Sequence, residues 1–273
     1  MRMYEKNLGK TTQYQQSYHP KLLDGLPRAA GRDTLDGVTA TLFDGFDLWT
    51  AFEVSWLDLR GKPMVAMAEL SIPCQSPRFV ESKSMKLYFN SLNDHAFADA
   101  AAVQATLIRD LSTCVGAEVT VKLLPVTTPN WQDNSDFMLL DDQPITIETY
   151  DYAPALLTNS TVTAAAPVHE RLCSHLLKSN CLVTNQPDWG SVYIDYQGAP
   201  IDHAALLRYI VSFRHHQEFH EQCVERIFCD IKRWCQPTGL TVMARYTRRG
   251  GLDINPYRTD QTEMLSVARL ARQ

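Results

Sequence analysis

FDLWTAFEVSWLDLRGKPMVAMAELSIP, residues 46–73, sets the fold class. Aromatic and β-branched residues alternate on both sides of Arg60-Gly61-Lys62-Pro63, and a turn cluster between two alternating runs reads as a β-hairpin. Outward from it, SKSMKLYFNSLND (82–94) reads as a short helix or loop-helix. FADAAAVQATLIRDLSTCV (97–115) carries Val103, Leu107 and Leu111 at helical spacing, and AEVTVKLLPV (117–126) alternates as a strand. The same order returns later in the chain. CLVTNQPDWGSVYIDYQG (181–198) reads as a hairpin around Pro187-Asp188-Trp189-Gly190, followed by helices over 201–216 and 217–235 and a strand over 239–251 that ends in glycines. Two strands, two helices and a further strand in each half predict a duplicated module, divided as 1–150 and 151–273. Residues 1–40 read as a polar arm or lid, and 127–165 as a mixed connector. Strands that come in hairpins, with no GxGxxG after a strand, exclude a Rossmann sheet and leave an α+β layer architecture.

Composition narrows the class. With 45% hydrophobic and 21% charged residues the chain can bury a full core. Its 26 basic against 31 acidic residues, with no basic run, argue against direct nucleic-acid binding. No apolar stretch approaches the ~20 residues needed to span a bilayer. MRMYEKNLGKTTQY lacks the apolar segment of a secretory signal, so a cytoplasmic location is expected. The cysteines number seven, several in apparent helices and with no CxxC pair, which favours reduced thiols over disulfides or structural zinc.

Four clusters carry candidate chemistry. LLKSNCLVTNQPDWGS (176–191) sets Cys181 ahead of Asp188. A thiolate adds well to electron-poor carbon, while an ordinary cysteine is a small buried apolar residue. Asp188 is either a turn-former or a proton donor: a hairpin folds it back towards Cys181, whereas one extended strand separates the two by ~20 Å. HHQEFHEQCVE (215–225) puts His220 on a helix face with Val224, Ile227 and Ile231. His216, His220 and Cys223 also have spacing that would suit zinc, although HExxH is missing, and Glu221 could accept two N–H bonds from a planar heterocycle. ESKSMK (81–86) reads as a solvated loop, or as a carboxylate, hydroxyls and cations able to hold a polar ring and a phosphate. YTRRGG (246–251) offers two arginines for phosphate and two glycines that allow close backbone approach.

Taken together, ESKSMKLY, HLLKSNCLVTNQPDWGS, SFRHHQEFHEQCVERIF and ARYTRRGGLDINPYR resemble the NADPH-dependent 7-cyano-7-deazaguanine reductases, the nitrile reductases of queuosine biosynthesis, in their longer two-module form. The resemblance implies tandem tunnelling folds (T-folds), with antiparallel sheets and helices on one face. It implies reduction of the cyano group of preQ0 to the amine of preQ1 by NADPH, with no metal. It assigns Cys181 as the nucleophile that forms a thioimide and Asp188 as the proton donor. Val80, Glu81, Ser82, His220 and Glu221 would hold the substrate, and Ser82, Lys83, Arg249 and Gly250 the NADPH. With these residues divided between the modules, one pocket would have to form where modules meet. A homodimer is expected. Two alternatives stay open: a zinc-dependent, cyclohydrolase-like T-fold enzyme acting on a pterin or purine, and a non-enzymatic module binding nucleobases or RNA.

Overall fold

A computed structural model describes residues 17–36, 42–127, 134, 136–162 and 165–273. The described residues form two compact units. One holds residues up to 31, 46–127 and 248–253; the other holds 32–45, the stretch from 134 to 247, and 254–273. The units therefore interleave along the chain, where the sequence predicts a single division at 150.

In the first unit, β1 (Gly25–Pro27) leads into α1 (Ala29–Arg32), the predicted hairpin is β2 (Asp44–Leu57) with β3 (Pro63–Pro73), and β4 (Arg78–Val80) returns to pair with β1. α2 (Ser82–Ser91), α3 (Ala100–Val115) and β5 (Thr120–Leu124) follow, and β5 completes a three-stranded antiparallel order β5-β3-β2. Val103, Leu107 and Leu111 are fully buried, as are Trp49, Ala51, Ala68 and Leu70 on one side of the hairpin. Each large apolar side chain so buried contributes about 1.5–3 kcal/mol. The polar-arm expectation for 1–40 is corrected between 17 and 36. Arg28 is 3% exposed and lies 2.5 Å from the buried Asp47, so a charged residue closes this edge through an ion pair. Residues 1–16 and 37–41 lie outside the described residues.

In the second unit, β6 (Met138–Leu139) lies parallel to β7 (Val168–Ser174), and β8 (Lys178–Asn180) and β7 both pair antiparallel with the long β9 (Pro187–Gly198). α4 (His203–Ser212), α5 (His220–Cys235), β10 (Gly239–Tyr246) and β11 (Leu252–Thr259) complete the unit. β9, β10 and β11 are antiparallel neighbours. β10 is buried on both faces from Leu240 to Tyr246, and the Tyr246 ring stacks on His220 of α5. Both units are thus antiparallel sheet with helices on one face, the α+β architecture expected of tunnelling folds.

Two readings change. Pro187-Asp188-Trp189-Gly190 is no turn: it opens β9, and the turn is 181–186. Proline suits the first residue of a strand because no ladder N–H is needed there. Asn185, at φ 55°, takes the left-handed position instead. ESKSMK is no solvated loop either, since Glu81 caps α2 and the remaining residues form its first turns.

Candidate active site

The three-residue β8 decides where Cys181 goes. Ser179 lies opposite Asp188 and Asn180 opposite Pro187, and the Cys181 N–H donates to Gln186 O at 2.9 Å. The hairpin therefore folds Asp188 back alongside Cys181. The Asn185 N–H closes the turn onto Cys181 O at 2.9 Å. Cys181 is partly exposed; Cys114 is the other partly exposed cysteine. Burial pushes the thiols of Cys114 and Cys173 up to about 11 and those of Cys223 and Cys229 up to about 12. High thiol pKa suits inert packing, and these four fit that role.

α5 supplies the groups facing Asp188. Its N-cap, Phe219, offers no side-chain cap, so the helix opens directly on His220 and Glu221. His220 Nε2 lies 3.2 Å from Asp188 Oδ1, and its ring stacks on Tyr246 at 3.9 Å with 4° between planes. The other ring nitrogen, Nδ1, is buried and makes no hydrogen bond. Asp188 is 4% exposed and Glu221 2%. A carboxylate in the first turn of a helix is favoured by the helix dipole. Asp188 and His220 meet where the hairpin reaches the helix, and Cys181 lies in the turn of that same hairpin.

The zinc reading finds no support in this geometry. His216 Nε2 is 2.9 Å from Glu218 Oε2, His220 is held between Tyr246 and Asp188, and Cys223 is fully buried. Among the described residues no three His, Cys, Asp or Glu side chains are grouped to hold a metal.

The other sequence-predicted residues lie in the first unit. Val80 ends β4 at 1% exposure, paired with Gly25. Glu81 accepts from Lys83 N at 2.8 Å and from Ser84 N at 2.7 Å, and its own N–H donates to Asp24 O at 2.9 Å. A carboxylate has about four lone-pair sites, so capping leaves Glu81 further acceptor capacity. Ser82 and Lys83 open the helix. Arg249 and Leu252 bond reciprocally across Gly250 and Gly251, whose φ angles of 59° and 79° are those of a tight two-residue turn. A Cβ on Gly250 would stand 3.0 Å from Lys86 Cε, so this turn lies against α2. Lys86, the second lysine of ESKSMK, is one turn after Lys83 on α2 and stands against this turn. Tyr246, which stacks on His220, is an aromatic in a strand and gave no distinguishing signal in the sequence.

Both the layer arrangement and the α+β order are those of the tunnelling-fold class. Residues 14–123 match the family model described as nitrile reductase, 7-cyano-7-deazaguanine-reductase N-term, and residues 187–264 match that of QueF-like protein. A relative from Legionella pneumophila (strain Corby), named NADPH-dependent 7-cyano-7-deazaguanine reductase, is 51% identical over 261 residues, covering 94% of this chain and 90% of its own. The chain belongs to the 7-cyano-7-deazaguanine reductase family.

Proposed function

We propose that the chain reduces the nitrile of 7-cyano-7-deazaguanine (preQ0) to the aminomethyl group of preQ1 with NADPH, a step of queuosine biosynthesis. The observation that carries this reading is the hairpin that folds Asp188 back beside Cys181, in a chain 51% identical to a relative named for that activity.

A nitrile carbon accepts hydride poorly. The Cys181 thiol passes its proton to Asp188 and its sulfur adds to that carbon, the C≡N π pair moves to nitrogen, and Asp188 hands the proton on to that nitrogen. The product is a thioimide, a C=N group that accepts hydride readily once protonated. His220, 3.2 Å from Asp188 and stacked on Tyr246, holds the Asp188 carboxyl group in position. Glu221 would accept N–H bonds from the heterocycle, and Glu81, with Val80 and Ser82 beside it, offers the same acceptor chemistry. NADPH supplies hydride when bound, and nitrile to amine takes two. Ser82, Lys83, Arg249 and Gly250, with Lys86 beside them, would hold it. The fit rests on the Gly250–Gly251 turn, where a Cβ on Gly251 meets nothing within 4 Å, and on cations suited to phosphate.

Assembly as a homodimer in the cytoplasm, without direct nucleic-acid contact, belongs to the same proposal. Among the described residues no helix is long and apolar enough to cross a membrane. The test is stoichiometry: purified protein should oxidise two NADPH per preQ0 and release preQ1. Absence of preQ0-dependent NADPH oxidation would overturn the reading. Tight nucleobase binding without turnover would favour the binding-module alternative.

A further inference from the structure

Both ends of the Cys181 turn are fastened to one short segment, 214–218. The Asn180 N–H donates to His216 O at 2.8 Å, and the Glu218 N–H donates to Asn180 O at 3.0 Å. The Asn180 side chain donates to the carbonyls of Arg214 and His216, each at 3.2 Å. At the far end, Gln217 Nε2 donates to Asn185 Oδ1 at 2.9 Å. Whatever holds 214–218 therefore sets where Cys181 stands.

A buried ion cluster does that. Glu218, 6% exposed, takes Arg226 in a two-pronged contact, Nε to Oε2 at 2.9 Å and Nη2 to Oε1 at 2.7 Å. His216 Nε2 lies 2.9 Å from the same Oε2, Arg226 also donates to Thr34 Oγ1 at 3.0 Å, and the Arg226 guanidinium lies 5.2 Å from the Tyr152 ring centroid. Burial alone would raise the Glu218 carboxyl, yet the Arg226 and His216 bonds hold it below its ordinary value.

The first unit contains the same backbone rail without the ions. Leu57 N donates to His95 O at 2.9 Å and Phe97 N to Leu57 O at 2.9 Å, matching Asn180 with His216 and Glu218. The rings match too: Tyr18 to His95 is 5.2 Å and Tyr152 to His216 is 5.2 Å. In that frame Phe97 stands where Glu218 stands, and Thr106 where Arg226 stands, each the seventh residue of its helix. The fold can thus close this position with an apolar plug. The ion cluster occupies it in the unit that carries Cys181.

We propose that Glu218, fixed by Arg226 and His216, is a positioning residue for Cys181. The inference rests on the nitrile-reductase reading for what Cys181 attacks. A charge pair specifies one geometry, which an apolar contact does not. Losing it loosens the rail and misplaces the sulfur.

The test compares Glu218→Gln and Arg226→Lys with wild type, after confirming an unchanged near-ultraviolet dichroism spectrum. Two rates are read. The first is thioimide formation from preQ0 without NADPH. The second is alkylation of Cys181 by iodoacetamide, mapped by peptide mass and normalised to Cys114. Thioimide formation should slow by about 10²-fold, the size of effect a displacement near 1 Å produces. Cys181 alkylation should rise about tenfold as the turn opens. Binding of preQ0 in a Cys181→Ala background should change less than about threefold, since the ring contacts are elsewhere. Wild-type rates of both reactions in a folded Glu218→Gln protein would overturn the proposal, as would a slower thioimide step matched by an equal loss of preQ0 binding. If wild type itself forms no thioimide, the functional reading fails instead, and the alkylation ratio still decides whether Glu218 holds the turn.

Discussion

The two units share a scaffold to the level of single residues and differ where the chemistry sits. Asp110, eleventh residue of the 16-residue α3, accepts from Tyr18 at 2.5 Å and Tyr88 at 2.7 Å. Asp230, eleventh residue of the 16-residue α5, accepts from Tyr152 at 2.8 Å and Tyr209 at 2.5 Å. Tyr88 and Tyr209 are each seventh in a ten-residue helix, and each ends that helix with a serine, Ser91 or Ser212, that takes the next backbone N–H after its partner tyrosine. Glu81 and Asp202 cap those helices in the same way, each accepting two backbone amides. The differences fall at two places. α3 begins with an Asp99 cap and alanines, where α5 begins with His220 and Glu221. The first hairpin turns through the exposed Arg60 and Gly61, where the second turns through Cys181. A repeated frame left free the helix start and the hairpin turn, and the candidate site was built on those.

The largest effect that would break this comparison is at Asp188, whose counterpart after the strand-opening proline is Met64. Asp188→Asn should lower kcat by about 10²–10⁴-fold, the usual worth of a positioned proton donor, while Met64→Leu leaves kcat unchanged; steady-state rates on both variants check it. Equal losses would mean the units are not divided as described. The two clamps come next. Removing either aspartate strands two tyrosine hydroxyls, so Asp230→Ala should cost about 3 kcal/mol by urea unfolding. Asp110→Ala should cost less, because Arg109 beside it is largely solvent-exposed and Tyr18 is only partly buried. Gly250→Ala places a Cβ against Lys86 at a left-handed φ, and should raise KM for NADPH about tenfold with kcat nearly kept. The smallest effect is acid titration of the Glu218 cluster. A carboxyl held below its ordinary 4.5 stabilises the fold above that pH and loses the contribution as pH falls through its folded value. Urea midpoints of wild type and Glu218→Gln should therefore differ at pH 6 and converge as pH falls below 4.5.

The sequence made the long periodic elements legible: the hairpin at 46–73, α3 and α5 carry alternation or helical spacing over enough residues to be read. Short or polar elements gave no such signal. β8 has three residues, too few to alternate, so Pro-Asp-Trp-Gly took the turn that belongs to 181–186. β11 mixes Asp253, Asn255, Pro256 and Arg258 into a strand whose residues are all buried, because Arg258 pairs with the buried Glu225 at 2.9 Å. Tyr-x-Pro-x-Leu-Leu, at 18–23 and again at 152–157, was present in the sequence and marks the repeat in both the supposed arm and the supposed connector. Cys181 and Asp188 were candidates on their chemistry, but a thiol and a turn-forming acid are ordinary alone, and the family resemblance gave them their roles. Their shared hairpin is what the structure adds.

The decisive measurement is difference absorbance on adding preQ0 to the protein without NADPH. A new band from the thioimide is expected, at one per Cys181 and absent in Cys181→Ala. No band in wild type, or the same band in Cys181→Ala, would contradict it.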